Sequence, residues 1–146
     1  NPNFHLPKTP ENIAMIANGT GIAPFLGMIQ ENILRKNISL FAGFRHDNDW
    51  VNSYRIFAEH QINQGQLEHF DFAFSREENK QYVMDLIRKN ENYFAELLAK
   101  NGTIMICGSL KMQKDVEIIL DEICQKFLGK PLQHFIKNGQ ILADCY

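Results

Sequence analysis

The chain has 146 residues, of which 45% are hydrophobic and 22% charged, and its formal net charge is −2. These values are typical of one globular domain, and they exclude general nucleic-acid binding, which needs a basic surface. No apolar run approaches the ~20 residues of a membrane-spanning helix, and the first residues do not resemble a signal peptide. The three cysteines follow no zinc or disulfide pattern, so we expect a reducing, cytoplasmic compartment.

Short apolar segments recur along the chain at intervals that leave room for helices. They are typical of strands that are buried on both faces of a parallel sheet. The candidates, of which the last is the weakest, are Asn12–Ala17, Ile38–Phe44, His69–Phe74, Thr103–Cys107 and Ile141–Cys145.

Helical periodicity fills the intervals between these segments. The apolar faces that it predicts are Ile22, Phe25, Leu26, Ile29 and Ile33; Trp50, Tyr54, Phe57 and Ala58; Tyr82, Val83, Leu86 and Ile87; and Met112, Val116, Ile119, Leu120, Ile123 and Phe127. Alternating strands and helices build right-handed βαβ units. We therefore expect an α/β fold with an open, parallel, five-stranded sheet and helices on both faces.

A glycine-rich turn joins the first predicted strand to the first predicted helix. Gly19, Thr20 and Gly21 form the turn, and Pro24 lies near the first helical position, which tolerates proline. Glycines let a ligand approach the main chain closely, and the positive end of a helix suits a phosphate. Pro24 replaces the third glycine of the G-x-G-x-x-G motif. The pattern therefore fits either a nucleotide phosphate site or an ordinary tight turn.

Small or polar residues follow every predicted strand. They are Gly19-Thr20-Gly21, Arg45-His46, Ser75-Arg76, Cys107-Gly108 and Tyr146. Open parallel sheets bind ligands beyond the carboxyl ends of their strands. We therefore expect a ligand site at this edge of the sheet.

The segment Ser75–Tyr82 combines a hydroxyl, a guanidinium, an ammonium and a phenol. Arginine binds phosphate through two parallel hydrogen bonds, and lysine adds a point charge. Arginine near the ribose is typical of NADP sites, whereas a carboxylate there is typical of NAD sites. Glu77 and Glu78 therefore complicate the choice, unless they simply face water. From the residues alone, the segment is either a phosphate site or the solvated start of a charged helix.

Five motifs, taken together and in order, resemble the NADP(H)-binding domain of the diflavin reductases. The motifs are GTGIAPF, AGFRH, FSREENKQYV, MICGSLKMQKDV and the terminal DCY. This family is related to ferredoxin–NADP reductase and includes cytochrome P450 reductase and the sulfite reductase flavoprotein subunit. The opening Asn3–Pro7 also resembles the link that leaves the family's FAD domain. The resemblance implies a linker from an absent FAD-binding domain at residues 1–11 and an NADP(H)-binding domain at residues 12–146.

The resemblance also implies which residues bind NADPH. Gly19, Thr20, Gly21 and Arg45 are implied for the pyrophosphate and nicotinamide end; Ser75, Arg76, Lys80 and Tyr82 for the 2′-phosphate and adenine; and Gln81, Val83, Met84 and Asp115 for the surroundings. The family usually has glutamine where this chain has Met84, so one hydrogen-bonding group near the ribose phosphate is missing. The basic residues still favour NADPH over NADH.

Three further residues are implied to face the reactive flavin edge, and they are the candidate catalytic residues. Cys107 is implied to lie near the nicotinamide, and Asp144 to orient that thiol and offset the positive nicotinamide. Tyr146 is implied to stack on the flavin ring and to move aside for the nicotinamide. From the residues alone, Cys107 is a small buried core residue and Tyr146 a frayed end.

Other residues that invite a functional interpretation are expected to be structural. We expect Trp50 to pack at a helix start, Cys124 to lie in the core, and Cys145 to be a packing residue. The five histidines lack the spacing of metal ligands, so we expect no metal site.

The implied function is that of an NADPH-dependent FAD flavoprotein oxidoreductase, of which this chain is a fragment that is inactive without the FAD domain. Electrons are expected to pass from FAD to FMN on a flavodoxin-like domain or to a sulfite reductase haem subunit. A terminal tyrosine resembles the sulfite reductase subgroup more than the tryptophan-ended P450 reductases. The alternatives are the NADP domain of a single-flavin ferredoxin or flavodoxin reductase, and a non-catalytic nucleotide-binding docking module.

Overall fold

Five parallel strands form one sheet in the computed structural model, which describes residues 3–146. The strands are β1 (Asn12–Asn18), β2 (Asn37–Phe44), β3 (His69–Phe74), β4 (Thr103–Gly108) and β5 (Ile141–Cys145). Their order across the sheet is β3-β2-β1-β4-β5, and every neighbouring pair is parallel. The predicted α/β sheet is therefore confirmed, and each predicted strand end lies within one residue of the observed end.

Helices cover both faces of this sheet. Within residues 3–146 they are α1 (Ile22–Gln30), α2 (Asp49–Asn63), α3 (Val83–Lys89), α4 (Glu91–Ala99), α5 (Leu110–Ile123) and α6 (Leu132–Lys137). A 3₁₀ turn at Gly19–Gly21 precedes α1, and a π-helical turn at Cys124–Leu128 follows α5. Helices α4 and α6 were not predicted. None of the helices in the described part of the chain combines the length and apolarity needed to cross a membrane.

The central strand β1 separates two hydrophobic cores. Ile13, Met15 and Ala17 face the core that contains the apolar residues of α1 and α2. Ala14 and Ile16 face the core formed with α3, α4, α5 and α6. Because successive side chains of a strand point to opposite faces, an unbroken apolar run is what a strand buried on both sides requires.

Residues 3–11 lie along the α1 side of the domain. The ring of Phe4 lies 5.9 Å from the ring of Phe25, measured between centroids. Lys36 is only 6% exposed, and its ammonium donates hydrogen bonds of 2.6 Å to the carbonyl oxygens of Lys8 and Pro10. The predicted linker is therefore fastened to the domain where it is described, and its first two residues lie outside the described part.

Helix α1 ends earlier than its periodicity predicts. The side chain of Asn32 accepts a hydrogen bond from the Lys36 N–H at 3.0 Å and donates one to the Lys36 carbonyl at 2.9 Å. These bonds stabilise a turn after Gln30 instead of further helix. Ile33 is consequently 80% exposed, and its predicted place on the buried face of the helix was wrong.

Three aromatic side chains also lie outside the cores where the pattern placed them. Trp50 is 75% exposed on the first turn of α2 and is not the packing residue that was expected. Tyr82 is exposed because it precedes α3 rather than lying on its buried face. Phe127 is exposed because the π-helical turn changes the angular spacing after Cys124. Cys124 itself is fully buried, as predicted.

Candidate functional site

A cleft of about 1450 Å³ opens at the carboxyl ends of the five strands. The predicted site residues in its lining are Gly19, Thr20, Gly21, Arg45, Ser75, Gln81, Tyr82, Val83, Met84, Cys107, Asp115 and Tyr146. They come together because parallel strands present all their carboxyl ends at one edge of the sheet. The volume exceeds the roughly 300–1,000 Å³ of most small-ligand pockets, which suits an extended ligand.

Three predicted residues lie beside the cleft rather than in its lining. Arg76 and Lys80 are exposed on the loop that follows β3, and the Lys80 ammonium lies 5.6 Å from the centre of the Tyr82 ring. Asp144 lies on β5, directly opposite Cys107 on β4. The structure therefore places the two cations at the rim and the carboxylate next to the thiol.

The glycine turn forms part of the cleft because the main chain is closely packed there. Gly19 has a φ of +54°, a conformation that side chains disfavour. A Cβ on Gly21 would collide with the carbonyl group of Cys107 and with Gly108. The N-terminus of α1 has no side-chain cap, and both Gly21 and Pro24 line the cleft. The positive end of α1 is therefore directed at the cleft, where it suits an anion.

A side-chain bridge fixes the distance between the ends of β1 and β4. Asn18 accepts a hydrogen bond from the Ser109 N–H at 3.0 Å and donates one to the Ser109 hydroxyl oxygen at 3.3 Å. That hydroxyl oxygen also caps α5 by accepting a bond from the Met112 N–H at 3.1 Å. Gly108 directly precedes Ser109 and has a φ of +152°. A Cβ at this position would collide with the side chain of Asn18. This part of the cleft is therefore preorganised.

The loop of residues 75–81 is joined to β2 and β3 through its main chain. The N–H of Ser75 donates to the last residue of β2 at 2.8 Å, and the N–H of Arg76 donates to the Arg45 carbonyl at 2.9 Å. The N–H of Gln81 returns to the last residue of β3 at 2.9 Å. Asp85 then accepts a bond of 2.8 Å from the Tyr82 N–H, which starts α3. The two ends of this loop are thus fixed at the cleft.

Positive charge is concentrated around the cleft, although the whole chain is slightly acidic. Arg45 and Lys111 line it, and Arg76 and Lys80 lie at its rim. The ammonium of Lys111 also pairs with Asp115, at 3.2 Å. The arrangement suits an anionic ligand with more than one phosphate.

The thiol of Cys107 is neutral at physiological pH. Cys107 is 2% exposed, and burial raises its pKa to about 11, with the nearby Cys145 and Asp144 adding to the effect. A neutral thiol is a poor nucleophile and a poor base. Its place in the lining therefore supports contact with an uncharged ring rather than covalent chemistry.

The main chain of Tyr146 is held in place while its ring is exposed. Its N–H donates to the Gly108 carbonyl, and its own carbonyl accepts from Leu110, both at 3.0 Å. The side chain is 78% exposed, and its hydroxyl donates to Asp144 at 3.3 Å. The nearby Asp144 charge is the main reason that the pKa of Tyr146 is raised. An exposed ring on a fixed backbone is suited to stacking on another aromatic group.

Several lining residues were not predicted from the sequence. They are Asn18, Pro24, Gly43, Phe44, Asn48, Trp50, Val51, Tyr54, Ser109, Lys111 and Met112. His46 and Gly108 also line the cleft, and they belong to the strand ends where the sequence predicted a ligand site. Ser109 and Asn48 could have been found, because a serine or asparagine directly before a helical pattern is a typical N-cap. Trp50 carried no such signal, since its helical spacing indicated a buried position.

Comparison with known proteins identifies the family. The family described as oxidoreductase NAD-binding domain matches residues 15–117. The chain is 34% identical over 140 residues to the sulfite reductase (NADPH) flavoprotein alpha-component of Salmonella arizonae, an alignment that covers 91% of this chain and 23% of that protein. It is 37% identical over 147 residues to human methionine synthase reductase, covering 87% and 21% respectively. The chain thus spans about a fifth of the length of these relatives.

These matches confirm the resemblance that the five motifs indicated. The sheet order and the family match agree on an α/β nucleotide-binding fold, and both relatives are named as reductases, one of them as a flavoprotein, and align with nearly the whole chain. The chain therefore belongs to the family of oxidoreductase NAD-binding domains.

Proposed function

We propose that this chain binds NADPH and presents its nicotinamide to FAD held by another domain of the same polypeptide. The observation that carries the proposal is the cleft at the carboxyl edge of the sheet, because residues implied for both ends of NADPH line it together. The relative from Salmonella arizonae is named for NADPH and for flavin. In this proposal residues 1–11 are the linker from the FAD-binding domain and residues 12–146 the NADP(H)-binding domain.

The 2′-phosphate and adenine are assigned to the loop after β3. Ser75, Arg76 and Lys80 would hold the phosphate, because a guanidinium and an ammonium together neutralise its charge. The exposed ring of Tyr82 would stack on the adenine. Met84 is partly buried against the core, so it offers an apolar wall and no hydrogen bond. The basic residues must therefore supply the preference for NADPH over NADH.

The pyrophosphate and nicotinamide are assigned to the glycine turn and the end of β4. The tight approach of Gly21 to Cys107 leaves main-chain groups rather than side chains facing this part of the cleft. Arg45 would add positive charge for the pyrophosphate. When bound, the nicotinamide supplies the hydride, and that chemistry belongs to the cofactor. The surrounding residues Gln81, Val83 and Asp115 would complete the walls, as their places in the lining suggest.

Cys107, Asp144 and Tyr146 would control the approach of the nicotinamide to the flavin. The neutral thiol would contact the ring, and the carboxylate opposite it in the sheet would offset the positive charge left after hydride loss. The exposed Tyr146 ring would stack on the flavin and move aside when the nicotinamide enters. Three observations support these roles: the thiol is buried, a carboxylate is paired with it across the sheet, and the ring of Tyr146 is exposed.

The onward path of the electrons is a separate proposal. We propose that electrons pass from FAD through FMN on a flavodoxin-like domain to a partner such as a sulfite reductase haem subunit; relatives named as the flavoprotein alpha-component of sulfite reductase support the choice of that acceptor. Human methionine synthase reductase is an equally similar relative with a differently named partner. The full-length protein, supplied with NADPH and each purified acceptor in turn, would identify the partner by the rate of NADPH oxidation.

Chemical-shift mapping tests the binding proposal directly. We expect NADP⁺, added to the isotopically labelled chain, to shift amide signals of Gly19–Gly21, of the 75–81 loop and of Gly108. Shifts confined to the opposite edge of the sheet, or no shifts at millimolar NADP⁺, would contradict it. NADP⁺ binding would not by itself separate a catalytic domain from a docking module. That distinction needs reduction of FAD by NADPH in the full-length protein.

A further inference from the structure

Glu77 fastens the 75–81 loop to the turn of residues 45–48. Its carboxylate oxygen accepts a hydrogen bond from the Asp47 N–H at 2.9 Å. The same oxygen lies 3.4 Å from Nδ1 of His46, which lines the cleft. One acidic side chain thus connects the two segments that follow β2 and β3.

The turn that receives Glu77 is itself held firmly. Asp47 pairs with Arg55 of α2 at 3.1 Å. Asn48 caps the same helix by accepting a bond from the Val51 N–H at 3.1 Å. The N–H to which Glu77 bonds is therefore anchored to a helix of 15 residues, so this contact ties the loop to a rigid element.

The contact lies where the main chain leaves the loop least supported. Main-chain bonds hold Ser75 and Arg76 at the start of the loop and Gln81 at its end. Between these two points, the side chain of Glu77 joins the loop to the turn of residues 45–48. Glu78, by contrast, is exposed and makes none of the hydrogen bonds or ion pairs described for residues 3–146.

Electrostatics alone would argue against a carboxylate at this position. Glu77 is adjacent to Arg76, and a negative charge near a bound phosphate weakens the attraction of the basic groups. A carboxylate beside a phosphate site is useful only if the geometry that it fixes outweighs this repulsion. The hydrogen bond to Asp47 supplies such a geometric role.

We propose that Glu77 is a positioning residue that sets the selectivity for 2′-phosphorylated nucleotides by holding the middle of the 75–81 loop to the turn of residues 45–48, which restricts the neighbouring Arg76 side chain to the rim of the cleft. The proposal rests on the proposed function, because it assumes that this loop receives the 2′-phosphate. Glu77 does not touch the phosphate. It acts by reducing the number of loop conformations, so that less entropy is lost when the phosphate binds.

The test compares two neighbouring glutamates that carry the same charge. Kd values for 2′,5′-ADP and 5′-AMP are measured by calorimetry for the wild-type chain, for Glu77→Ala and for Glu78→Ala. We expect Glu77→Ala to raise the Kd for 2′,5′-ADP by about fivefold or more, which is part of what one charged hydrogen bond contributes. The Kd for 5′-AMP should change little. Glu78→Ala removes only a repulsive charge, so its affinity for 2′,5′-ADP should stay the same or increase. Glu77→Gln keeps an oxygen for the Asp47 N–H and should restore part of the loss.

The outcomes separate this proposal from the one on which it rests. A wild-type chain with no preference for 2′,5′-ADP would contradict the proposed NADPH site itself. A wild-type preference that both alanine variants retain or increase equally would leave the NADPH site intact and overturn the role of Glu77. An equal loss of affinity for both nucleotides in a folded Glu77→Ala variant would also overturn the role of Glu77, because the effect would then not depend on the 2′-phosphate.

Discussion

Gly21 lies so close to Cys107 that a Cβ at position 21 would collide with the Cys107 carbonyl group. The turn before α1 and the end of β4 therefore meet through their main chains alone. This contact joins the part of the cleft assigned to the pyrophosphate to the part assigned to the nicotinamide.

Replacing Gly21 with alanine should disturb both folding and binding. We expect Gly21→Ala to lower the free energy of unfolding by about 1–3 kcal/mol, the usual cost of forcing an extra group into a packed site, and to weaken NADP⁺ binding. Urea denaturation and calorimetry measure the two effects. Gly27→Ala is the control, since a Cβ there meets nothing within 4 Å. Because glycine is less favourable than alanine inside a helix, Gly27→Ala should raise the free energy of unfolding by roughly 0.5–1 kcal/mol. Equal stabilities for the two variants would refute the packing argument.

Arg76→Ala should reduce the preference for NADPH over NADH. Loss of one charged hydrogen bond to phosphate costs about 1.5–3 kcal/mol, or roughly 10- to 150-fold in affinity, and NADH lacks the 2′-phosphate that would accept this bond. Kd values for both nucleotides check this. Arg88→Ala is a matched control, because Arg88 is an exposed arginine that pairs with Glu122 at 3.2 Å and lies outside the cleft lining. An equal loss of affinity for NADPH and NADH in the Arg76→Ala variant would refute the assignment of Arg76 to the 2′-phosphate.

The buried thiols should react slowly with alkylating reagents. Burial raises the pKa of both Cys107 and Cys124 to about 11, so their thiolate fraction at pH 8 is far below that of an exposed cysteine. Peptide mass spectrometry after iodoacetamide treatment, with and without denaturant, measures each site separately. Rapid labelling of Cys107 at pH 8 in the folded chain would contradict the neutral-thiol role.

The same pKa values predict how stability changes at alkaline pH. An unfolded cysteine ionises near its ordinary pKa, whereas these two remain protonated in the fold up to about pH 11. The unfolded state therefore binds fewer protons between about pH 9 and pH 11, and the free energy of unfolding falls as the pH rises through this window. Replacing Cys124 with alanine should make the fall shallower, as denaturation at a series of pH values would show. A slope that the replacement leaves unchanged would contradict this explanation.

Lys36 should control how residues 3–11 are held on the domain. Lys36→Met keeps much of the buried volume but removes the two hydrogen bonds to the carbonyls of Lys8 and Pro10. We expect a loss of about 2–3 kcal/mol in unfolding free energy, since two hydrogen bonds from a charged group are lost. Limited proteolysis should then cut this segment faster. Lys137→Met is an exposed control, and identical cutting of both variants would refute the role.

The sequence predicts the sheet well because burial on both faces leaves a strong signal. Apolar runs such as Ile13–Ala17 have few alternatives in a globular domain, and the polar residues after them mark the edge where open parallel sheets typically bind ligands. The glycine turn and the basic loop were recognisable because each is defined by residue types within a few positions of sequence. Their chemistry is local and does not depend on distant contacts.

The errors arose where tertiary contacts override local pattern. Ile33 continues the helical spacing of α1, yet the bonds between Asn32 and Lys36 end the helix first. Trp50 fits a buried helical face, yet it lies exposed at the cleft. Glu77 could be taken for a solvated charge, because its partner at Asp47 is 30 residues away in sequence. No local pattern encodes such a pairing.

Calorimetric binding of 2′,5′-ADP and 5′-AMP to the wild-type chain tests the central claim most directly. The two ligands differ only in the phosphate assigned to Ser75, Arg76 and Lys80. We expect 2′,5′-ADP to bind about tenfold or more tightly, a difference of roughly 1.4 kcal/mol. Equal affinity for the two ligands would contradict an NADPH site in this cleft.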